Sequence, residues 1–357
     1  MPYRCCLRLF ALVALAGGPG CTAKKTDATS AAEEKISPVA EPKVDVGTAE
    51  PTAENPPRRG LAALTQDVVA VAQEKPDDPF ALIPARAEFV VQFRVAALYG
   101  VSGFSRAVDF VADKADDKTG DVLAAMAKCE LPPAKIESVT VAMDEVQDGV
   151  MVVRGPGVGD PDRWRCVRTE MVTAGHTPKF EIKSDGDKPV LYADEDVGFF
   201  VDDDTFVFSD DKLENEVTAL IEGKETRSMM QGELASIVER VNMDEPVWFA
   251  MNLTPDQRKE LASTPMDSAS AFWGALSTGE ELALSIALLT PSEDAAVDMR
   301  SELEEQWDQV KGMAGSLGVP SAVSSSVSFE ATAGTVVMKM RATPEEIETI
   351  ATKIGAF

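Results

Sequence analysis

Short runs in which apolar and polar side chains alternate recur along most of this chain, and they constrain its fold more than any other feature. The first run is Phe89, Val91 and Phe93, and the clearest later one is Leu282, Leu284, Ile286 and Leu288. A period of two is typical of a strand that buries one face. Further runs of this kind lie at residues 135–143, 150–154, 247–251, 323–329 and 336–340.

Helical stretches separate these strands, and three of them begin with the same device. Thr254, Thr290 and Thr343 are each followed by proline and then by an acid or amide two places further on. The threonine oxygen can accept from a first-turn N–H while the acid or amide reaches back. Strands in pairs between capped helices predict an α+β fold, with mostly antiparallel sheets and helices packed on one face.

The order strand, helix, hairpin, helix, strands occurs twice, which predicts two diverged copies of one unit at residues 80–243 and 244–357. The segment Leu82-Ile83-Pro84-Ala85, followed by a strand and a helix, resembles uncharacterised duplicated α+β lipoproteins of Gram-negative bacteria. That resemblance implies export and this fold, and it implies no activity.

Residues 1–20 are typical of an export signal. Arg4 and Arg8 precede a short apolar run at residues 9–16, and small residues follow. The run is too short to span a bilayer, which takes about 20 apolar residues. We therefore expect residues 1–20 to be a signal peptide.

The ending Gly-Pro-Gly-Cys at Cys21 resembles the lipobox of bacterial lipoproteins. The resemblance implies cleavage before Cys21 and a diacylglyceryl group on its sulfur, so the membrane is an expected partner. Thr22 follows the cysteine, which by the same resemblance implies the outer membrane, with the body facing the periplasm or the surface. Secretion without lipid is the alternative, because Gly18 stands where the family usually carries leucine.

Residues 21–79 are predicted to combine the lipidated cysteine with a tether. From Thr22 to about Gly60 the chain has neither aromatic residues nor apolar periodicity. Such a segment buries too little surface to offset its ordering entropy. A short helix is expected at residues 61–73. The tether would hold the acidic body away from the membrane.

The charge excludes some classes of partner. The chain has 34 Lys and Arg against 60 Asp and Glu, a formal net charge of -26. Nucleic-acid binding depends on neutralising phosphates, so we expect no nucleic-acid partner. His176 is the single histidine, which excludes a multi-histidine metal site in one chain and argues against a Ser-His-Asp enzyme.

Cys129 and Cys166 are the two cysteines of the expected body. In an oxidising compartment two thiols favour one disulfide. Two separate buried thiols are the alternative.

Acidic residues are concentrated between Asp185 and Asp211, and two interpretations are open. Carboxylates in turns are ligands that Ca²⁺ prefers, and a calcium site is possible if neighbouring strands bring four of them together. Solvated turns between strands are the more ordinary interpretation, so no cofactor is the main expectation. The candidate calcium ligands are Asp194, Asp196, Asp202 and Asp204.

The glycine-rich segment at residues 155–160 follows a strand and precedes a helix. It resembles a phosphate cradle only superficially, because Asp160 stands where the third glycine is needed and would repel phosphate. A tight turn is predicted instead.

No catalytic set emerges from the sequence, and we assign no catalytic residue. The leading hypothesis is a lipid-anchored envelope protein that binds or scaffolds an unidentified envelope protein or ligand. One alternative is a carrier of an apolar ligand such as a lipid, which needs an apolar cavity of about 300–1,000 Å³. A second is an envelope hydrolase that uses paired carboxylates with pKa values pushed apart.

Overall fold

The computed structural model describes residues 78–99, 117–186, 188–225, 227–315 and 319–354. The export signal, Cys21, the expected tether and the expected helix at 61–73 all lie outside these residues. They stay predictions from the sequence.

Most strands follow the alternating runs. The prediction at residues 323–329 is wrong, because Ser321–Ser326 is helical and the strand begins at Ser328. The bounds of the strands are β1 Phe89–Phe93, β2 Ser138–Met143, β3 Gly149–Arg154, β4 Phe180–Asp185, β5 Lys188–Ala193, β6 Asp196–Asp202, β7 Thr205–Asp210, β8 Val247–Asn252, β9 Ala271–Thr278, β10 Leu282–Leu289, β11 Ser328–Thr332 and β12 Thr335–Ala342.

Helices connect the strands. Their bounds are α1 Val95–Tyr99, α2 Asp117–Lys128, α3 Pro161–Thr173, α4 Glu214–Ile221, α5 Ala235–Val238, α6 Pro255–Leu261, α7 Glu293–Ala314, α8 Ser321–Ser326 and α9 Pro344–Ile354. Short 3₁₀ turns add Pro79–Leu82, Pro133–Lys135, Asp211–Leu213 and Met229–Gln231. Within this part of the chain, no helix combines the length and the hydropathy that crossing a bilayer requires.

The described strands form one sheet of twelve, in the order β11-β12-β10-β9-β8-β1-β2-β3-β7-β6-β5-β4. Each of its neighbouring pairs is antiparallel. The predicted α+β class with a mostly antiparallel sheet is therefore confirmed.

The strand order repeats in the two halves. Each half runs from a first strand to a hairpin and then to a last group of strands, with helices between them. This last group has four strands in the first half, β4–β7, and two in the second, β11 and β12. Its final strand pairs with the second hairpin strand, β7 with β3 and β12 with β10. The halves join where β1 pairs with β8 and Val91 lies opposite Phe249. A duplication would give such an order. The duplication and its boundary at residues 243 and 244 stay predictions.

The two first strands extend their pairing in the same way at both ends. The backbone N–H of Arg94 donates to the carbonyl of Pro246 at 2.7 Å, and that of Asn252 donates to the carbonyl of Glu88 at 2.8 Å. Rotation about a local two-fold axis near Val91 would exchange these two bonds.

Helices cover both faces of the sheet. The prediction that they pack on one face is therefore wrong. The face that carries Val90, Val152 and Trp248, here called face A, packs against α4 and α5. The opposite face, face B, packs against α2 and α3 in the first half and against α7 in the second. The reason lies in strands such as β3, whose residues Val150–Val153 are all buried. A strand that is apolar on both sides needs cover on both sides.

Two of the three expected threonine caps form. Thr254 and Gln257 make a reciprocal capping box at α6, and Thr343 and Glu346 make the same contacts at α9. The cap predicted at Thr290 is wrong. Thr290 is buried, and its hydroxyl donates to the carbonyl of Gly334 at 2.8 Å. Ser292 caps α7 in its place, accepting from Ala295 N–H at 3.1 Å.

Cys129 and Cys166 form a disulfide, as predicted. Their Cα atoms are 5.7 Å apart and they are 37 positions apart in sequence. Cys129 follows α2 and Cys166 lies on α3, so the bond ties these two helices together beside the core on face B.

Candidate functional site

Two adjoining cavities form a groove that charged side chains line. One measures about 830 Å³ and lies between the segment Pro84–Glu88, the β2–β3 loop, α4 and the 225–233 connection. The other measures about 420 Å³ and extends to Asn252 and the start of α6. Both are lined by Glu88, Glu145 and Glu233, and we call the combined feature the acidic groove.

The β2–β3 loop is shaped by its own aspartate. An Oδ1 atom of Asp144 accepts from the backbone N–H groups of Val146 at 3.0 Å and Asp148 at 2.9 Å. A carboxylate that satisfies nearby N–H groups holds such a turn in one conformation. The loop therefore carries Glu145 and the 68% exposed Val146 at its tip, on the edge of the acidic groove.

Arg86 links two walls of the acidic groove. Its Nε lies 3.4 Å from Asp144 Oδ2 and its Nη1 lies 3.5 Å from Glu216 Oε1 on α4. Arg86 and Glu216 are both about half-exposed, and such an ion pair contributes little stability, about 0–1 kcal/mol. The Asp144 side chain is only 8% exposed. The effect of the two ion pairs here is to orient the guanidinium within a mainly acidic lining.

The 225–233 wall is fixed by a capping box and by close backbone approach. Gln231 Oε1 accepts from Ser228 N–H at 2.9 Å, and Met229 N–H donates to the carbonyl of Ile83 at 2.8 Å. A Cβ at Gly232 would lie 2.1 Å from the carbonyl oxygen of Ala85. Only glycine fits there, and Glu233 follows directly into the groove.

The pKa of Glu88, which lines both cavities of the groove, is raised. Burial raises the pKa of its carboxyl above the ordinary glutamate value, and the nearby carboxylates of Glu233, Glu145 and Asp144 raise it further. A hydrogen bond with Asn252 acts in the opposite direction and favours the charged form. Burial is therefore the main reason that the Glu88 carboxyl resists ionisation, and the surrounding carboxylates add to it.

The lining favours cationic groups. It contains six carboxylates against three guanidiniums, and potentials of one sign in a concave surface attract the opposite charge. The acids are Glu88, Asp144, Glu145, Glu216, Glu225 and Glu233, and the bases are Arg86, Arg227 and Arg258. Across the described residues, no three His, Cys, Asp or Glu side chains are grouped so as to hold a metal ion.

The four candidate calcium ligands are not brought together. Asp194 and Asp196 lie where the chain enters β6, and Asp202 and Asp204 lie where it leaves. A strand of this length separates its ends by about 20 Å. Asp202 instead accepts from Asp204 N–H at 2.8 Å, so these acids shape the turns between strands.

The glycine-rich segment is a tight turn whose donors are already used. Gly155 N–H donates to the carbonyl of Asp204, and Gly159 N–H donates to that of Asp203, both at 3.0 Å. Gly157 N–H donates to the Asp204 carboxylate at 3.0 Å. A carboxylate therefore occupies the place that a phosphate would need.

His176, the single histidine, is partly buried and contacts an acid. Its Nε2 lies 2.7 Å from Asp121 Oδ2, and the ring is only 16% exposed. The contact joins the end of α3 to α2. Cys21, the predicted lipidation site, lies outside the described residues.

Sequence reasoning missed the acidic groove entirely. Its acids are ordinary surface residues spread from position 88 to position 233, and none belongs to a motif. The sequence offers one hint of the groove, which is the position of Glu88 directly before the apolar run of β1. In the structure this acid is partly buried.

No protein-family model matches the chain, and no curated protein matches its sequence. Among solved structures it is similar to the treponemal protein TP0453 in three crystal forms. Form III has a TM-score of 0.49 at 10% identity, covering 78% of this chain and 98% of that one. Form IV has a TM-score of 0.46 at 8% identity, covering 78% of this chain and 96% of that one. Form I has a TM-score of 0.44 at 9% identity, covering 78% of this chain and 97% of that one. This is a distant structural similarity, and it assigns no function.

Proposed function

We propose that this chain is a lipid-anchored protein of the cell envelope whose body binds a cationic segment of a partner protein without catalysing a reaction. Cys21 carries the lipid in this proposal, and the outer membrane is the site of anchoring. The acidic groove is the binding site.

The single observation that carries the binding role is the concentration of carboxylates in a concave site. Glu88, Glu145 and Glu233 line both cavities. Burial raises the pKa of Glu88, and the carboxylates of Glu233 and Glu145 raise it further, so a cationic partner would favour its charged form. A lysine or arginine side chain would relieve this repulsion. The exposed Val146 at the rim adds an apolar contact for a peptide that carries such side chains.

The envelope location is supported by the disulfide. Disulfides form and persist in oxidising compartments, and Cys129 and Cys166 make one in the body of this chain. The apolar run and Cys21 near the start of the sequence agree with export.

Binding is tested by titrating the full chain with a labelled acetyl-Lys-Leu-Lys-Leu-Lys-amide peptide and measuring fluorescence anisotropy. The variant Glu88→Gln, Glu145→Gln, Glu233→Gln should weaken binding at least tenfold, because it neutralises the groove. The matched control is Asp194→Asn, Glu195→Gln, Asp203→Asn, which removes the same charge from exposed turns outside the groove.

The control should bind within twofold of the unsubstituted chain. Equal weakening by both variants would show that net charge alone attracts the peptide, and it would overturn the assignment of the groove. Binding should also weaken steeply between 50 and 300 mM salt, roughly as expected for partly exposed ion pairs.

A hydrolase is the second candidate, and Glu88 is the observation that favours it. A carboxyl whose pKa is raised beside other carboxylates resembles the acid of an acid–base pair. Release of reducing ends or peptides from envelope polymers, lost in Glu88→Gln, would support it over simple binding. The apolar-ligand carrier stays a prediction. Charged residues make up more than half of the lining of the larger cavity, and such a lining does not suit an apolar ligand.

A further inference from the structure

The two cavities of the acidic groove share their acids but not their arginines. Glu88, Glu145 and Glu233 line both cavities, so these acids lie where the two cavities adjoin. Arg258 on α6 lines the smaller cavity and not the larger one. The smaller cavity therefore runs from a negative end at the junction to a positive end at Arg258.

The guanidinium of Arg258 is available to a ligand. Its side chain is exposed, and within the described part of the chain it makes no ion pair or hydrogen bond. The nearby acid on the same helix, Asp256, is paired with Lys259 at 2.7 Å instead. All five N–H donors of the Arg258 guanidinium are therefore open.

Backbone contacts hold the two ends of the smaller cavity in place. Asn252 N–H donates to the carbonyl of Glu88 at 2.8 Å, which ties the acid to the wall of the cavity. Two residues further on, Thr254 is buried and begins α6 in a reciprocal capping box with Gln257. The start of α6, from which Arg258 projects, is thus fixed relative to Glu88.

The size of the smaller cavity sets the spacing between the charges of a ligand. Its volume of about 420 Å³ corresponds to a cube with an edge of about 7 Å, which is the length of two extended residues. A peptide that carries a cation and a carboxylate two positions apart would place one charge at each end.

We propose that Arg258 selects partner segments in which an acidic residue lies two positions from a lysine or arginine. This inference rests on the proposed binding function, and it names the class of peptide that the acidic groove accepts. The cation lies against the shared acids at the junction. The carboxylate binds Arg258, because the planar guanidinium fork matches its two oxygens.

Two pairs of labelled peptides test this selection by fluorescence anisotropy on the full chain. Acetyl-Lys-Leu-Lys-Leu-Asp-amide and acetyl-Asp-Leu-Lys-Leu-Lys-amide present the acid in the two chain directions. Their counterparts carry asparagine in place of aspartate. The protein variants are Arg258→Gln and the matched control Lys259→Gln, which removes the same charge at the next position of α6. Both side chains are exposed, so neither substitution should disturb folding.

In the unsubstituted chain and in Lys259→Gln, at least one aspartyl peptide should bind at least threefold tighter than its asparaginyl counterpart. The net charge of -26 would by itself favour the more positive asparaginyl peptides, so this preference reports a local contact. In Arg258→Gln the preference should disappear. The asparaginyl peptides should bind that variant at least as tightly as the unsubstituted chain, because a guanidinium that repels their lysines is gone.

The possible failures separate this inference from the proposed function. Suppose that the peptides bind and that Glu88→Gln, Glu145→Gln, Glu233→Gln weakens them, but neither aspartyl peptide is preferred or the preference survives in Arg258→Gln. Selection by Arg258 is then overturned, and the acidic groove stands as a cation site. If none of the four peptides binds, both the selection and the proposed function fail.

Discussion

The indole Nε1–H of Trp248 donates to Oε1 of Gln92 at 2.9 Å, and this bond joins the first strands of the two halves in the core of face A. Gln92 also donates to Thr140, so one amide connects three adjacent strands. A buried polar group that loses its partner costs about 1–3 kcal/mol.

Gln92→Leu should therefore lower the free energy of unfolding by about 2–3 kcal/mol, because it leaves the Trp248 N–H without an acceptor. Urea denaturation measures the change. Combining Gln92→Leu with Trp248→Phe should cost less than the sum of the two single substitutions, because the pair is coupled. Simple additivity would show that the bond contributes nothing.

Removing the disulfide with Cys129→Ala and Cys166→Ala should lower the free energy of unfolding by roughly 4 kcal/mol, as chain entropy predicts for a loop of 37 positions. Thermal unfolding with and without a reductant measures this. The reductant should destabilise the unsubstituted chain and leave the double variant unchanged. An equal response of both proteins would contradict a contribution from this bond.

Glu88→Gln should stabilise the chain at neutral pH. The pKa of Glu88 is raised in the folded state, so ionisation opposes folding, and stability is lost as pH rises through the folded-state pKa. The glutamine variant keeps the neutral form at every pH. Its melting temperature should exceed that of the unsubstituted chain at pH 7, and the difference should vanish below the ordinary value of 4.5. A lower melting temperature at pH 7 would mean that the Asn252 hydrogen bond outweighs burial.

Gly159→Ala should be among the most damaging single substitutions in the body. A Cβ there would lie 1.6 Å from the carbonyl oxygen of Asp202 and 2.7 Å from that of Thr205. The turn must move, at a cost of about 3 kcal/mol or more. The control is Gly312→Ala on α7, where nothing lies within 4 Å and alanine should stabilise the helix by about 0.5–1 kcal/mol. Equal stability of the two variants would contradict this packing.

Cys21→Ser should release the chain from membranes. Several acyl chains on one cysteine give durable anchoring, because each buried methylene contributes about 0.8 kcal/mol. Fractionation and intact mass measure the outcome, with Cys5→Ser as the control, since Cys5 belongs to the expected signal peptide. Unchanged membrane association in Cys21→Ser, or a mature mass without lipid, would favour secretion.

Local features of the sequence predicted local features of the fold. The alternation at Phe89–Phe93 and Leu282–Leu289 gave two strands correctly, and Thr254 and Thr343 gave two caps. The alternation at residues 323–329 misled, because Ser321–Ser326 is helical and the strand begins at Ser328. Val323 and Val327 are four residues apart, and this spacing places two residues on one face of a helix as well as on one face of a strand.

Long-range features were beyond the sequence for physical reasons. The pairing of β1 with β8 joins residues more than 150 positions apart. The alternation of apolar and polar residues in a strand shows which face is buried, but it does not show which strand pairs with it. The acidic groove depends on this register, because it places Glu88 of the first half beside Asn252 of the second. Glu88 and Glu233 meet only because Met229 N–H bonds to Ile83.

The antiparallel pairing of β1 with β8, here called the seam, has a consequence for how such a chain could originate. Each strand contributes the same backbone pattern to the seam, so two identical half-length polypeptides could pair there and build one continuous sheet. In a single chain the connection before β8 would keep the two strands together at any protein concentration, so the sheet would form without a subunit interface.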